Sequence, residues 1–258
     1  MDLELQNKNV LVTGASRGIG LACAEGFLAE GASVTLVSRP SATLDAEVAR
    51  LSDQYPGAVR AVAADLSTAD GLARIDGDLQ TADIVVNNAG AIPGGGLDTV
   101  DDATWRSAWD LKVFGYVGVC RRCLPAMRER GSGVIVNIIG YAGAAPRYDY
   151  VSGSMANSAL MAFTRAAGGA SPAWGVRIVG INPGATATDR LVTVSKGRAR
   201  EVHGDEGRWE EMLTHLPFGR AGLPREMADL AVFVGSPRAS YLSGVVIDAD
   251  AGVMWTNS

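Results

Sequence analysis

The sequence predicts a single α/β domain, residues 1–258, built on a doubly wound, seven-stranded parallel sheet. Short β-branched apolar runs alternate along the chain with longer stretches of helical period. The runs are continuously apolar, as in strands that are buried on both faces, and a glycine-rich segment follows the first run. With 258 residues, 47% of them hydrophobic, the chain is long enough to bury one large core.

Seven runs are predicted strands: in chain order NVLVT, SVTLVS, AVRAVAA, DIVVN, GVIVNII, VRIVGIN and GVVIDA. Long helices are predicted from about Asp101 to Arg130 and from Gly153 to Ala170. Right-handed crossovers then give the doubly wound order. The charged segment 191–218 precedes the last helix. We expect it to form a lid over the carboxyl ends of the strands, or alternatively a solvated pair of surface helices.

Composition narrows the class of protein. A net charge of −5 disfavours a nucleic-acid partner, and neither an apolar window of membrane-spanning length nor a signal-like start is present. We therefore expect a cytoplasmic protein without nucleic-acid or membrane partners. Cys23, Cys120 and Cys123 are an odd number, so reduced thiols are expected. The C-x-x-C pair favours helix packing over a metal site, because His203 and His215 are distant in sequence.

Glycines mark a nucleotide site between the first strand and the first helix. Gly14, Gly18 and Gly20 have the spacing G-x-x-x-G-x-G. Such glycines let the backbone turn tightly and approach a pyrophosphate at a helix N-terminus. This arrangement predicts a Rossmann-type dinucleotide site.

The end of the second strand indicates which dinucleotide is bound. Ser38 and Arg39 stand where an acidic residue would bind the adenosine ribose of NAD. A guanidinium pairs with a 2′-phosphate, and Arg17 in the glycine loop could add a second contact. NADP is therefore preferred over NAD. The alternative is that both arginines are surface residues without a ligand.

Five segments together resemble the short-chain dehydrogenase/reductase family over essentially the whole chain. They are TGASRGIG, ADLS, NNAG, NPGATAT and DADAG, the last with Ala251 in place of a glycine. The resemblance implies an oxidoreductase with a small-molecule substrate, and a homodimer or homotetramer. Its implied cofactor-binding residues are Gly14, Ser16, Arg17, Gly18, Ile19, Gly20, Ser38, Arg39, Asp65, Leu66, Asn88, Ala89, Gly90, Pro183, Gly184, Thr186 and Thr188.

The catalytic centre departs from that family. Aligned on its Asn, Ser, Tyr and Lys quartet, this chain has Lys112, Gly140, Gly153 and Asn157. Hydride transfer to a carbonyl leaves an alkoxide that must receive a proton, so a positioned acid is needed. Glycine at position 153 cannot supply one.

Two features argue against an inactive site. Lys112 and Asn157 have exchanged the residue types that the family places at these positions. Tyr150 lies seven residues before Asn157, which resembles the tyrosine-to-lysine spacing of the family's enoyl reductases. We predict Tyr150, Lys112 and Asn157 as catalytic residues, with Tyr141 and Tyr148 less favoured. The alternatives are a snorkelling surface lysine and tyrosines that only line an apolar pocket.

The predicted function is an NADP-dependent oxidoreductase that acts on a carbonyl, an alcohol or an activated double bond with an atypical acid. One alternative is an NADP-binding protein without hydride chemistry, either a sensor or an inactive partner subunit; another is a lyase or isomerase on the same fold.

Arg190, Lys196, Arg198 and Arg200 could attract an anionic group or form a solvated face. The glycines at 140 and 153 predict a roomy pocket.

Overall fold

Seven parallel strands form one sheet in the order β3-β2-β1-β4-β5-β6-β7 in the computed structural model, which describes residues 1–255. Each predicted run contains one strand, so the predicted fold class is confirmed. The strands are β1 (Asn9–Thr13), β2 (Ser33–Ser38), β3 (Val59–Ala63), β4 (Ile84–Asn87), β5 (Gly133–Ile138), β6 (Val176–Pro183) and β7 (Val246–Ala249).

Nine α-helices connect or follow these strands in the part of the chain that the structure describes. They are α1 (Gly18–Ala29), α2 (Ala42–Gln54), α3 (Ala69–Ala73), α4 (Asp76–Thr81), α5 (Asp102–Trp109), α6 (Gly115–Arg130), α7 (Val151–Ala170), α8 (Asp189–His203) and α9 (Pro224–Gly235). The predicted lid, residues 191–218, comprises most of α8 and the 3₁₀ segment Glu206–Leu213, between β6 and α9.

The predicted helix from Asp101 to Arg130 is not one regular helix. A π-helical turn, Asp110–Phe114, joins α5 to α6. A π turn inserts an extra residue and changes the direction of the side chains that it carries, and such turns are frequent at functional sites. Lys112 lies in this turn.

Side chains of β1 alternate between two apolar layers, which explains why the strand is apolar throughout. Val10 and Val12 pack into the layer of α1 and α9, whereas Leu11 packs into the layer of α4 and α6. The three thiols are buried and free. Burial raises the pKa of Cys23 and of Cys123 to about 12, so these thiols are packing groups rather than nucleophiles.

Residues 1–255 include no helix with the length and hydropathy needed to cross a bilayer. Over the same range, no group of three or more His, Cys, Asp or Glu side chains is placed to hold a metal ion.

The order of the strands reverses between β1 and β4, and crevices at such switch points are where doubly wound sheets bind ligands. Buried amides lie just behind this edge. Asn87 Nδ2 donates to Asn137 Oδ1 at 3.0 Å, and Asn137 Nδ2 donates to Thr164 Oγ1 at 2.9 Å. These bonds join the ends of β4 and β5 to α7.

Two adjacent glycines near the end of α7 allow a test of this packing. A Cβ at Gly168 would lie 2.4 Å from the Gly244 amide nitrogen and 2.5 Å from the Ile178 carbonyl oxygen, whereas a Cβ at Gly169 would meet nothing within 4 Å. We expect Gly168→Ala to lower the free energy of unfolding by about 1–3 kcal/mol, and Gly169→Ala to raise it by about 0.5–1 kcal/mol. Urea unfolding measures both; equal effects would contradict the close approach of α7 to the backbone of β6.

Candidate active site

The glycine loop turns back on itself so tightly that side chains are excluded. Gly14 and Gly18 have φ angles of 66° and 60°, in the left-handed region that favours glycine. A Cβ at Gly20 would lie 2.3 Å from the Gly14 carbonyl oxygen and 2.4 Å from Asn88 Nδ2. The start of α1 is therefore held directly under the end of β1.

Two polar side chains fasten this loop to the end of β4. Asn88 Nδ2 donates to the carbonyl oxygens of Thr13 and Gly14, at 3.1 and 3.2 Å. The Thr13 hydroxyl oxygen accepts from the amides of Asn88 and Ala89, at 2.9 and 3.1 Å. Asn88 and Ala89 were predicted cofactor residues, but Thr13 was not. A buried threonine at a strand end preceding the glycine loop is the signal that could have found it.

The adenine end of the crevice carries the predicted 2′-phosphate residues. Ser38 Oγ donates to Ser16 Oγ at 3.1 Å and so links β2 to the glycine loop. Arg39 is exposed, and no carboxylate of residues 1–255 lies within ion-pair distance of it. Arg17 precedes α1 and lies 3.6 Å from Asp189. The Arg39 guanidinium is therefore free to move to an anion, whereas Arg17 would have to exchange its exposed ion pair with Asp189 for one.

Asp65 lies beyond β3 with its carboxylate already held. Its Oδ1 accepts from the hydroxyl and the amide of Ser67, at 2.7 and 3.0 Å. These bonds, and more weakly the charge of Arg39, hold the pKa of Asp65 below its ordinary value. Leu66 follows as a buried side chain.

The loop after β6 closes the other side of the crevice. Pro183 ends β6, and Gly184 packs so closely on Asp250 that a Cβ would lie 2.8 Å from its Cα. Thr186 Oγ1 donates to the Gly184 carbonyl. Thr188 caps α8 by accepting from the Leu191 amide. The methyl carbon of Thr188 would lie 3.3 Å from a Cβ at Gly18, which brings the start of α8 against the glycine loop.

The Tyr150 ring lies over Gly153, the position that the family resemblance aligns with tyrosine. A Cβ at Gly153 would lie 2.0 Å from Tyr150 Cε1 and Cζ, and 2.6 Å from its hydroxyl oxygen. The phenol thus occupies the space in which a side chain at position 153 would begin. Arg190 Nη2 donates to the Tyr150 hydroxyl oxygen at 3.0 Å and to the Ile92 carbonyl at 2.6 Å.

Lys112 is buried, with 8% of its surface exposed, so it is not a snorkelling surface lysine. Its Nζ donates to the carbonyls of Ile138 and Ile139, at 2.8 and 3.1 Å, and to the Tyr116 hydroxyl at 3.1 Å. Its stem packs on Gly90, where a Cβ would lie 2.8 Å from Lys112 Cδ. The ammonium therefore does enter the site.

Burial, and secondarily the charge of Arg190, lowers the pKa of Lys112 to about 7. Among residues 1–255 no carboxylate pairs with this ammonium, and all its acceptors are neutral oxygens. Tyr116, which sequence reasoning missed, is itself buried and donates to the Ile138 carbonyl at 2.9 Å. Its position four residues after Lys112 is the only sequence signal for the pairing.

Asn157 is 3% exposed, and its Oδ1 has no hydrogen-bond partner among residues 1–255. Its Nδ2 would lie 2.8 Å from a Cβ at Gly140, so the amide occupies space that a side chain at position 140 would need. Lys112 and Asn157 thus approach the same stretch of backbone, Ile138–Gly140, from two helices. An unsatisfied buried acceptor costs stability unless a ligand or water donates to it.

Tyr141 and Tyr148 do not join this cluster. Tyr148 is 63% exposed and donates to Asp98 at 3.2 Å. Tyr141 accepts from Arg147 at 3.5 Å. Of the three tyrosines, only Tyr150 is placed beside Gly153.

The cationic residues of the predicted lid have different surroundings. Arg198 lies 3.7 Å from Asp149, and Arg200 pairs with Glu206. Lys196 is exposed, and α8 buries only Ser195 and Ala199. Most of the lid is thus a solvated surface, and its closing over a ligand stays a prediction.

A glycine loop at the switch point of a parallel sheet defines a dinucleotide-binding α/β protein. The family model for short chain dehydrogenase matches residues 8–199. The chain belongs to the short-chain dehydrogenase/reductase family.

Three relatives illustrate the range of this similarity. Galactitol 2-dehydrogenase (L-tagatose-forming) of Cereibacter sphaeroides is 34% identical over 93% of this chain and 92% of its own. The 7alpha-hydroxysteroid dehydrogenase of Escherichia coli strain K12 is 31% identical over 97% of this chain and 96% of its own. L-sorbose reductase of Gluconobacter frateurii, solved with NADPH and L-sorbose, superimposes with a TM-score of 0.90 at 31% identity, with both chains fully covered.

The lowered pKa of Lys112 predicts how stability depends on pH. The pKa of a lysine in the unfolded chain is about 10.4. Between about pH 7 and pH 10 the unfolded state therefore binds more protons than the folded state. Stability therefore gains a contribution as pH rises through this range, on the order of a few kcal/mol. We expect Lys112→Met to lose this rise and Lys196→Met, an exposed control on α8, to keep it. Urea unfolding at several pH values measures the slope; parallel curves for wild type and Lys112→Met would contradict the assignment.

Proposed function

We propose that the protein is an NADP-dependent oxidoreductase that interconverts a carbonyl and an alcohol, with Tyr150 as the proton donor. The placement of the Tyr150 phenol over Gly153 supports this proposal most directly. A phenol from a different position in the chain thus lies beside position 153, with its hydroxyl oxygen 2.6 Å from where a Cβ at Gly153 would be. The named relatives are two dehydrogenases of alcohols and one reductase of a ketose. Their names favour interconversion of a carbonyl and an alcohol over reduction of a double bond.

The crevice fits the dinucleotide. The backbone leaves no room for a Cβ at Gly20, and it takes left-handed turns at Gly14 and Gly18. Such a loop allows the backbone to approach a pyrophosphate closely. The free guanidinium of Arg39 suits a 2′-phosphate. NADPH, when bound, supplies the hydride. The similar L-sorbose reductase was solved with NADPH, which supports the same choice of dinucleotide here.

Asn157 and Lys112 would shape the reactive end of the crevice. The unpartnered Oδ1 of Asn157 suits a hydroxyl donor, such as a sugar hydroxyl of the dinucleotide or a substrate hydroxyl. The Lys112 ammonium fixes the carbonyls of Ile138 and Ile139 and adds positive potential beside the pocket. It is not hydrogen-bonded to Tyr150, so we assign it an electrostatic role rather than direct proton transfer.

A second candidate is an NADP-binding protein that performs no hydride chemistry, and the replacement of all four quartet residues favours it. It would bind NADPH and turn nothing over. A lyase or isomerase would instead form product without any change in nicotinamide absorbance. Incubating the pure protein with NADPH and a panel of ketoses and other ketones separates the three, because only an oxidoreductase consumes NADPH in proportion to product.

We also propose a homodimer or homotetramer assembled through α6, α7 and the π turn, in a cytoplasmic setting. Phe114 and Met155 lie on these elements and are exposed large apolar side chains. Burying such side chains favours association of two copies.

Tyr150→Phe tests the proton donor. Removing the hydroxyl leaves the alkoxide without an acid, so we expect the kcat of ketone reduction to fall by roughly 10²- to 10⁴-fold. The dissociation constant for NADPH should change little, which fluorescence titration can check. Tyr148→Phe, which removes an exposed hydroxyl near the same loop, is the matched control and should retain its activity. An unchanged kcat in Tyr150→Phe would remove Tyr150 from the mechanism.

Arg39→Asp tests the choice of dinucleotide. The carboxylate would repel a 2′-phosphate and accept from a ribose hydroxyl, so NADPH should bind at least about tenfold more weakly and NADH more tightly. Arg106→Asp on α5 makes the same charge change at another exposed arginine and should leave the affinities for NADPH and for NADH unchanged. Equal NADPH binding by wild type and Arg39→Asp would contradict the assignment.

A further inference from the structure

Arg190 stands in the first turn of α8 and reaches across the crevice to the candidate acid. One of its terminal nitrogens, Nη2, donates to both the Tyr150 hydroxyl and the Ile92 carbonyl. Within residues 1–255 no carboxylate lies within ion-pair distance of the guanidinium. Its positive charge is therefore not neutralised by the protein.

This hydrogen bond constrains the proton on Tyr150. Because the phenol oxygen accepts from a guanidinium, which cannot act as an acceptor, its own hydrogen must be donated to something else. A cationic donor also favours the phenolate form over the neutral phenol. Both effects prepare a hydroxyl that is to lose its proton to a ligand.

In the part of the chain that the structure describes, no other cation near Tyr150 is placed to donate to its hydroxyl oxygen. The Lys112 ammonium has its three protons directed to Ile138, Ile139 and Tyr116. The Arg147 guanidinium is paired with Asp149. Asn157, where the family resemblance expects a lysine, is uncharged.

We propose that Arg190 is the positioning residue for Tyr150: its guanidinium orients the phenol and stabilises the phenolate that proton donation leaves behind. The inference rests on the proposed function. In the step, the phenol O–H bond breaks, a new O–H bond forms on the substrate alkoxide, and the phenolate recovers its proton from water. The charged or titratable groups that bear on Tyr150 are Arg190 from α8, Tyr116 from α6, Lys112 from the π turn and Asp149 before α7.

The attachment of α8 explains how an exposed arginine keeps this position. Thr188 caps the helix and packs on Gly18, and Asp189 lies 3.6 Å from Arg17. Thr188 thus contacts the glycine loop, Asp189 pairs with Arg17 of that loop, and Arg190 donates to Tyr150. The same turn of helix therefore holds Arg190 at a fixed distance from the cofactor crevice.

The test is a double-mutant cycle of Arg190→Gln and Tyr150→Phe, with Arg190→Lys as the conservative variant. We expect Arg190→Gln to lower the kcat of ketone reduction on the order of tenfold or more. The loss should fall on kcat rather than on KM, because the guanidinium contacts the candidate acid. Arg190→Lys should recover part of the lost kcat. In the Tyr150→Phe background, Arg190→Gln should have no further effect on kcat.

A matched control separates the loss of this contact from a general loss of positive charge on α8. Arg200→Gln removes another arginine from the same helix, one that pairs with Glu206, and should leave kcat unchanged.

Several outcomes would overturn the inference. Additive losses in the double variant would show that Arg190 does not act through Tyr150. A rise in KM confined to anionic substrates, with kcat intact, would make Arg190 a substrate anchor instead. If Tyr150→Phe itself keeps its kcat, the proposed acid fails; if it is impaired while Arg190→Gln is not, only the inference fails.

Discussion

The architecture depends on one close approach, between the Gly20 backbone and the Gly14 carbonyl, with the Asn88 amide beside both. The chain reverses direction between β1 and α1 within a few residues. This reversal brings the two backbone segments so close that no side chain fits between them. The hydrogen bonds of Asn88 and Thr13 then join that reversal to the end of β4. Since the order of the strands reverses between β1 and β4, this contact also fixes where a crevice can open and which residues line it.

Positive charge around the crevice comes from two cations on different elements. One cation, Lys112, is buried below the sheet edge among neutral oxygens, and another, Arg190, approaches from the helix above. Neither has a carboxylate partner in the described part of the chain. Burial and mutual repulsion lower the pKa of Lys112 to about 7, so this lysine titrates near neutral pH while the arginine keeps its charge. The electrostatic potential at the site is therefore sensitive to pH through a residue that makes no contact with the candidate acid.

The strands and the glycine loop could be predicted because each leaves a local signal: apolar runs, and glycines where backbone meets backbone. The expected burial on both faces does not hold for the edge strands β3 and β7, which are partly exposed. Tyr150 was chosen from its spacing to Asn157, and that spacing did not predict that its ring would lie against position 153. The π turn at Lys112 could not be predicted, since a single inserted residue hardly disturbs a helical period. Tyr116 was missed because its partners are a lysine and a main-chain carbonyl rather than a complementary side chain. Arg190 was considered only as one of four cations near the lid that could attract an anionic group, because its hydrogen-bond partner Tyr150 lies 40 residues earlier in the chain.

The overlap between the Tyr150 ring and a side chain at position 153 limits which residues the two positions can hold together. Any side chain larger than hydrogen at 153 would collide with the ring as it now stands, at 2.0 Å from two of its carbons. The two ways of supplying a phenol are therefore mutually exclusive in this pocket. A chain with a tyrosine at both positions would need the ring at 150 displaced. Restoring the common tyrosine by a single substitution here would build a steric conflict, and its effect depends on which residue is already present at 150.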